Sequence, residues 1–175
     1  WVAQHTAEEV AAAVAEYFAD TDEELLAKAI QSYQDAAAVD TGIPLLIGVD
    51  EEGGTVVRAS SNPNLFPHSV SPPGPFCPGG MDAIIQDARQ KSVTLLDLGV
   101  NVNLAPVADV STDSNDFIYD RTLGQDAETT ADYITRTVLT MGDAGEMAVL
   151  KHFPGYGNNA DTHTGIAWTS AHGDL

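Results

Sequence analysis

Residues 44–50 read Pro44-Leu45-Leu46-Ile47-Gly48-Val49-Asp50, a continuous apolar run that ends abruptly in an acid. A run of this kind is typical of a strand that is buried on both faces, as in a parallel sheet. Two later runs have the same form: residues 100–107 are followed by Asp109, and residues 147–150 lead into Lys151-His152. The sequence therefore predicts three buried strands, each followed by polar or charged residues.

Segments with helical spacing separate these strands. Helices are predicted over four ranges, residues 7–18, 22–38, 81–98 and 126–142. Residues 21–24 (Thr-Asp-Glu-Glu) have the form of a capping box, and Gly99 suits the position just after a helix. Residues 55–58 are a candidate for a short further strand, and residues 60–80, rich in Ser, Asn, Pro and Gly, predict a long loop.

The alternation of strands and helices favours βα units around a parallel sheet. Doubly wound sheets and closed barrels both collect functional groups at the C-terminal ends of their strands. No glycine-rich phosphate fingerprint follows the first strand, which argues against a dinucleotide-binding sheet. We therefore expect an α/β fold of the TIM-type (β/α)8 barrel class, with Asp50, Asp109 and Lys151-His152 at one edge.

The charge balance is strongly acidic. The 175 residues include 26 acids and 7 Lys or Arg, a formal charge of −19, which disfavours nucleic acids and anionic membranes as partners. No apolar stretch approaches the ~20 residues of a membrane span, and residues 1–20 lack the basic start and apolar run of a signal peptide. The single Cys77 excludes an internal disulfide, and the initial Trp suggests a removed or missing start. The compartment is left open.

Asp161-Thr162-His163 is a candidate acid/base pair. In a loop, the carboxylate of Asp161 can turn back on the ring of His163, orient it and stabilise its protonated form. The alternative is that Asp161 caps a turn while His163 is solvated.

Lys151-His152 follows an apolar strand, where an unpaired ammonium would be costly. Either a polar substrate pocket surrounds Lys151, or it forms a structural salt bridge with Asp50 or Asp109. Arg121 lies in a loop and could bind a substrate or pair with one of the many acids.

The three consecutive acids of residues 50–52 differ in their expected environments. Asp50 ends the strand and should lie at the functional edge, whereas Glu51 and Glu52 are predicted to belong to a solvated face.

Two other chemistries find little support. His152, Asp161 and His163 could bind zinc, but their spacing matches no tight zinc motif and no cysteine joins them. There is no Gly-x-Ser-x-Gly nucleophile motif, and Cys77 lies in the proline-rich loop. We therefore expect neither a metal nor another cofactor.

Four segments, taken together, resemble those of family 3 glycoside hydrolases. Residues 47–58 resemble "D-x-E-G-G-x-V-x-R", residues 98–110 resemble "L-G-I-N-x-N-x-A-P-V-x-D-V", residues 120–124 resemble "D-R-S/T-F-G", and residues 151–163 resemble "K-H-F-P-G-H/Y-G" followed by "D-S/T-H". The D-x-H element is similar to that of the β-N-acetylhexosaminidase branch. The likeness covers roughly residues 44–167.

This resemblance implies a (β/α)8 barrel that cleaves terminal β-linked N-acetylhexosamine with retention of configuration. It assigns the acid/base role to His163, with Asp161 as its dyad partner, and places Asp50, Arg121, Lys151 and His152 around the sugar. The substrate would be a glycan or peptidoglycan fragment containing N-acetylglucosamine. The nucleophile would be an aspartate on a later strand.

The sequence departs from the family pattern in several places. No strand is evident before residue 22, residues 65–79 bear no likeness, and the likeness stops after Ala167, leaving only Asp174 as a later acid. We therefore expect residues 1–175 to form a single, incomplete barrel domain without its nucleophile segment. A non-catalytic sugar-binding or assembly fragment, completed by a second chain or by self-association, is the alternative.

Overall fold

The computed structural model of the chain describes residues 23–62 and 79–166. Three helices and three short strands alternate, in the order α1 (Glu23–Asp40), β1 (Gly48–Val49), α2 (Gly80–Asp97), β2 (Val102–Asn103), α3 (Ala127–Ala144) and β3 (Met147–Ala148). Single 3-10 turns lie at Ala59–Ser61 and Tyr119–Arg121. The predictions of helices over 22–38, 81–98 and 126–142 are confirmed to within two residues at each end, whereas the helix predicted over 7–18 lies outside the described residues. None of the described helices is long and apolar enough to cross a membrane.

The strands form one parallel sheet in the order β1-β2-β3, so that β2 is central. Gly48 pairs with Val102, which in turn pairs with Met147. A parallel bridge between Val107 and Lys151 continues the contact beyond the strands. Because neighbouring parallel strands run in register, their C-terminal ends meet at one edge, as the sequence predicted.

Two asparagines of the second strand segment, residues 101–109, which includes β2, extend its pairing with the segment around β1. The Asn101 side chain accepts a hydrogen bond from the Ile47 amide and donates one to the Leu45 carbonyl. The buried Asn103 side chain does the same with the amide and carbonyl of Glu51. These side chains satisfy backbone groups on either side of β1, which fixes the segment leading out of the strand.

The outer strands are more exposed than their apolar sequences predict. Leu46 is 69% exposed, and Met147 and Leu150 are about half exposed. The prediction of burial on both faces is therefore wrong for these positions, because β1 and β3 lie at the two edges of the described sheet. Residues 55–58 also form no strand: a single antiparallel bridge between Gly53 and Val56 closes a turn instead.

The main apolar core packs α1 and α2 against the sheet. Its members are all at least nine-tenths buried: Leu26, Ile30, Val49, Ala59, Leu95, Leu98 and Val100. Gly99 ends α2 with a φ of 90°, and the Val100 amide bonds the Leu95 carbonyl, which confirms the predicted glycine cap. A Cβ on Gly99 would lie 2.7 Å from Ile30 Cγ2, so this close approach of two helices requires glycine.

Candidate active site

The polar residues that follow the three strands converge at one edge of the sheet. Lys151, after β3, lies with its Nζ 2.5 Å from Asp50 Oδ1, after β1, although 101 residues separate them in sequence. Both side chains remain partly accessible, at 17% and 36% exposure. Of the two salt bridges proposed for Lys151, the one with Asp50 forms.

Glu52 holds the two cations of the site. Its carboxylate accepts Arg121 Nε at 3.0 Å and Arg121 Nη2 at 2.8 Å, a bidentate pair, and also bonds Lys151 Nζ. The Glu52 side chain is only 1% exposed. Burial alone would lower the pKa of Arg121, but the hydrogen bonds and charge of Glu52 raise it. Arg121 and Lys151 are thus fixed in place with their charge partly compensated.

The prediction of a solvated face for Glu51 and Glu52 is wrong. Glu51 is fully buried, and its carboxylate accepts the backbone amides of Arg58, Ala59 and Ser60 together with the Ser60 hydroxyl. These bonds fold the chain back into the turn after β1, which replaces the strand expected there. Alternate side chains of an extended chain lie on the same face, so the sequence already indicated that Glu52 lies on the same side as Asp50.

Asp109, at the end of the second strand segment, positions His152. Its Oδ2 lies 2.7 Å from His152 Nδ1 and accepts the His152 amide, while Oδ1 accepts the Tyr156 amide. Burial would raise the pKa of Asp109, but the bonds from His152 and Tyr156 outweigh it and lower the pKa. The alternative salt bridge between Asp109 and Lys151 therefore does not form, since Asp109 is occupied by His152.

Arg121 fixes the protonation of His152. Arg121 Nη2 lies 3.1 Å from His152 Nε2. A guanidinium only donates, so Nε2 must accept, and the ring proton must be on Nδ1, facing Asp109. In this arrangement His152 is neutral and oriented by a carboxylate on one side and a cation on the other.

Tyr156 joins the strand end to the loop that carries Asp161 and His163. Its ring meets that of His152 edge-on at 5.0 Å, and its hydroxyl lies 2.8 Å from Thr162 Oγ1. Gly155 precedes it with a φ of 104°, and a Cβ there would contact Asp109 Oδ1 at 3.5 Å. The loop is therefore anchored beside the ion-pair cluster.

The predicted pairing of Asp161 with His163 is present. Asp161 Oδ1 accepts the His163 amide at 3.0 Å and lies 2.6 Å from His163 Nδ1. The amide and then the ring of His163 lower the pKa of Asp161, with a smaller contribution from the charge of Arg121. The His163 side chain is 54% exposed, and its Nε2 has no hydrogen-bond partner among the described residues. That nitrogen can exchange a proton with a ligand.

Within residues 23–62 and 79–166, no group of three or more His, Cys, Asp or Glu side chains could hold a metal ion. His152 is bound by Asp109 and Arg121, whereas His163 is paired separately with Asp161. The zinc alternative for His152, Asp161 and His163 thus gains no support from the geometry. Cys77 lies outside the described residues.

The edge combines donors from Arg121 and Lys151, a carboxylate acceptor from Asp50, and a solvent-facing imidazole. Such a set suits a neutral ligand rich in hydroxyl and amide groups and provides a group that can transfer a proton. Sites at the C-terminal ends of parallel strands are typical of enzymes with α/β folds, barrels among them.

Comparison with known proteins identifies the family. Residues 4–174 match the glycosyl hydrolase family 3 N terminal domain, and the chain belongs to glycosyl hydrolase family 3. The structural relatives are TIM-type barrels, of which the described residues form a partial α/β unit with a parallel sheet. The predicted fold class is confirmed.

Several relatives are named as beta-hexosaminidases. The chain is 33% identical over 140 residues to "Beta-hexosaminidase LpqI" of Mycobacterium tuberculosis, covering 76% of this chain and 34% of that protein. It is 31% identical to "Beta-hexosaminidase A" of Pseudoalteromonas piscicida, covering 71% of this chain and 21% of that protein. The chain thus spans about a third or less of the length of these two relatives.

Solved structures agree with this assignment. A family 3 β-N-acetylglucosaminidase from Paenibacillus sp. superposes with a TM-score of 0.67 at 33% identity, covering 77% of this chain and 25% of that one. A family 3 glycosyl hydrolase from Mycobacterium smegmatis superposes with a TM-score of 0.64 at 33% identity, covering 84% of this chain and 47% of that one.

Proposed function

We propose that this chain carries the acid/base dyad and part of the sugar-binding edge of a retaining glycosidase that removes terminal β-linked N-acetylhexosamine. The pairing of His163 with Asp161 at 2.6 Å, in a loop tied by Tyr156 to the Arg121 and Lys151 cluster, is the observation that supports it most strongly. The names of the relatives support the same substrate class.

In this proposal His163 is the general acid and then the general base. As the bond between the anomeric carbon and the leaving oxygen breaks, that oxygen takes the proton from His163 Nε2. Asp161 keeps the ring oriented through Nδ1 and stabilises the imidazolium before transfer. In the second half of the reaction His163 removes a proton from the water that releases the sugar. The family resemblance places the carboxylate nucleophile on a later strand than β3.

The proposal gives the remaining site residues binding roles. Asp50 would accept hydrogen bonds from sugar hydroxyls, and Lys151 and Arg121 would donate to hydroxyl or amide oxygens. His152 would complete the same pocket. Glu52 and Asp109 act through these groups and are positioning residues: Glu52 holds the two cations, and Asp109 holds His152.

A second candidate is a non-catalytic sugar-binding or assembly unit that works with another polypeptide. The exposed apolar residues at the β3 edge favour it: Met147 and Leu150 are each about half exposed, and Phe153 is 98% exposed. An open strand edge of this kind readily pairs with a further strand. Sedimentation distinguishes the two candidates, because a monodisperse monomer that melts cooperatively would count against the assembly role.

Ligand binding tests the site without requiring turnover. We expect N-acetylglucosamine to shift the imidazole resonances of His152 and His163 in NMR titrations of the chain. Asp50→Asn and Lys151→Met should weaken this binding, whereas Asp132→Asn, an exposed aspartate on α3, should leave it unchanged. A folded chain whose site resonances do not respond would overturn the proposed binding edge.

Hydrolysis of 4-nitrophenyl N-acetyl-β-D-glucosaminide tests whether this chain is sufficient for turnover and, where turnover occurs, whether His163 is required for it. Because the nucleophile is expected on a later strand, the chain by itself should show no turnover. Strong hydrolysis that His163→Ala abolishes would support the dyad but refute the need for further strands. Strong hydrolysis that persists in His163→Ala would refute the dyad itself.

A further inference from the structure

A polar cavity lies behind the two buried acids of the site, between α2, α3 and the second strand segment. Glu51 and Glu52 form one wall of it. The other walls carry Asn103 of β2 and six polar side chains from both helices and the segment before β3: Asp87, Lys91, Ser92, Tyr133, Thr137 and Glu146. None of these six has a role in the proposed function, and Glu52 is the one residue that the cavity shares with the proposed sugar-binding edge.

Two buried polar atoms, on residues that line this cavity, have no hydrogen-bond partner among the described residues. Glu146 is only 3% exposed, and its Oε2 accepts the Ser92 hydroxyl at 2.6 Å. Its second oxygen, Oε1, has no hydrogen-bond partner among the described residues, and neither has Oγ1 of Thr137, which is 5% exposed. Leaving such atoms unsatisfied is costly, so a native protein normally supplies a partner.

A third polar group that lines the cavity, the ammonium of Lys91, has further N–H donors. Lys91 is 8% exposed, and its Nζ contacts Asp87 Oδ2 at 3.3 Å. An ammonium has three N–H donors, so one such contact does not exhaust it. Lys91 and Glu146 line the same cavity, where burial raises the pKa of Glu146 and the charge of Lys91 lowers it.

We propose that this cavity is a binding site for ordered water, with a molecule that bridges Glu146, Thr137 and Lys91. The water would accept a hydrogen bond from Lys91 Nζ and donate one to Glu146 Oε1, while the Thr137 hydroxyl serves as donor or acceptor. Buried water typically makes about three such bonds. It would tie α2, α3 and the start of β3 together directly behind Glu51 and Glu52.

A crystal structure of the chain, at a resolution that shows ordered water, tests the site. We expect a peak at hydrogen-bond distance, about 2.7–3.2 Å, from both Glu146 Oε1 and Thr137 Oγ1. Thr137→Ser should keep the peak, and the nearly isosteric Thr137→Val should lose it or weaken it. An empty cavity, a protein donor on Glu146 Oε1, or a peak with the shorter contacts of a metal ion would overturn the proposal.

Urea unfolding gives an independent test. If Thr137 and Glu146 share one water, the midpoint shifts of Thr137→Val and Glu146→Met should not add in the double variant, because the first substitution already releases the water. Strictly additive shifts would contradict the shared site. Where Glu146→Met does not fold, Glu146→Gln takes its place, and its crystal structure should retain the peak because Gln can still bond water.

Discussion

The guanidinium of Arg121 faces Nε2 of His152 at 3.1 Å, and it can do so only while that nitrogen carries no proton. The opposite nitrogen, Nδ1, lies 2.7 Å from Asp109 and must carry the proton. Residues from three separate segments thus select one tautomer of one ring.

The first prediction concerns this tautomer. In long-range ¹H–¹⁵N spectra at neutral or higher pH, His152 should appear as the neutral form protonated at Nδ1. Asp109→Asn should weaken this preference, because the carboxylate that accepts the Nδ1 proton is lost. A spectrum of the native chain that shows the proton on Nε2 would contradict the arrangement.

The second prediction concerns the buried carboxylate of Glu52. Glu52→Gln leaves Arg121 and Lys151 close together without their shared anion, and the loss of one member of a buried ion pair costs about 3 kcal/mol. Chemical denaturation should show this loss in the free energy of unfolding. Glu128→Gln, on the exposed first turn of α3, should change it by less than about 1 kcal/mol. Equal effects for the two variants would refute the central position of Glu52.

The third prediction separates the two donors to Asp161. Both the amide and the ring of His163 lower the pKa of this carboxyl. His163→Ala removes the ring donor and keeps the amide, so the pKa of Asp161 should rise but stay below its ordinary value. Carbon-detected NMR titration measures it, and Asp126, whose pKa the Thr129 amide lowers, serves as the internal control. An unchanged pKa of Asp161 would mean that the ring does not bond it in solution.

The fourth prediction concerns pH and Glu146. Burial raises its pKa, with Glu51 adding to the rise and Ser92 and Lys91 opposing it. Asp87, Tyr133 and Glu52 are the other titratable groups that line the cavity. A raised folded-state pKa gives stability that is fully present below the unfolded value of about 4.3 and is lost as pH rises through the folded value.

Glu146→Gln cannot ionise and should therefore gain in urea midpoint relative to the native chain as the pH is raised from about 5 to about 8. The Glu128→Gln variant should show no such gain in urea midpoint with rising pH. If the difference in urea midpoint between the Glu146→Gln variant and the native chain fell with rising pH, Glu146 would be charged in the folded protein.

The fifth prediction compares two glycines. Gly99→Ala forces a left-handed residue to carry a Cβ that meets Ile30, and should destabilise the chain by more than about 1 kcal/mol. Gly142→Ala, inside α3 with open space around it, should instead stabilise it by up to about 1 kcal/mol. Thermal melts of the two variants should move in opposite directions, and a shift of both in the same direction would contradict the helix packing described.

The sequence by itself determined the three described helices, their alternation with strands, and the gathering of Asp50, Asp109 and Lys151 at one edge of the sheet. Helical periodicity and glycine caps are local signals, and parallel strands must bring their C-terminal ends to one edge. The pairing of Asp161 with His163 was also predictable from a local signal, because two residues so close in a loop can meet without any contact from a distant segment. The family segments added the roles expected of these residues.

Only the tertiary structure decided what surrounds them. Glu51 and Glu52 look alike in the sequence, yet one holds three backbone amides of the following turn and the other holds Arg121 and Lys151. Asp109 pairs with His152 and not with Lys151, and this pairing joins residues more than forty positions apart. The polar cavity around Glu146 likewise depends on contacts between distant segments, such as that of Ser92 with Glu146. Burial and partner choice for a charged side chain are set by which distant segments pack against it, and periodicity along the chain does not contain that information.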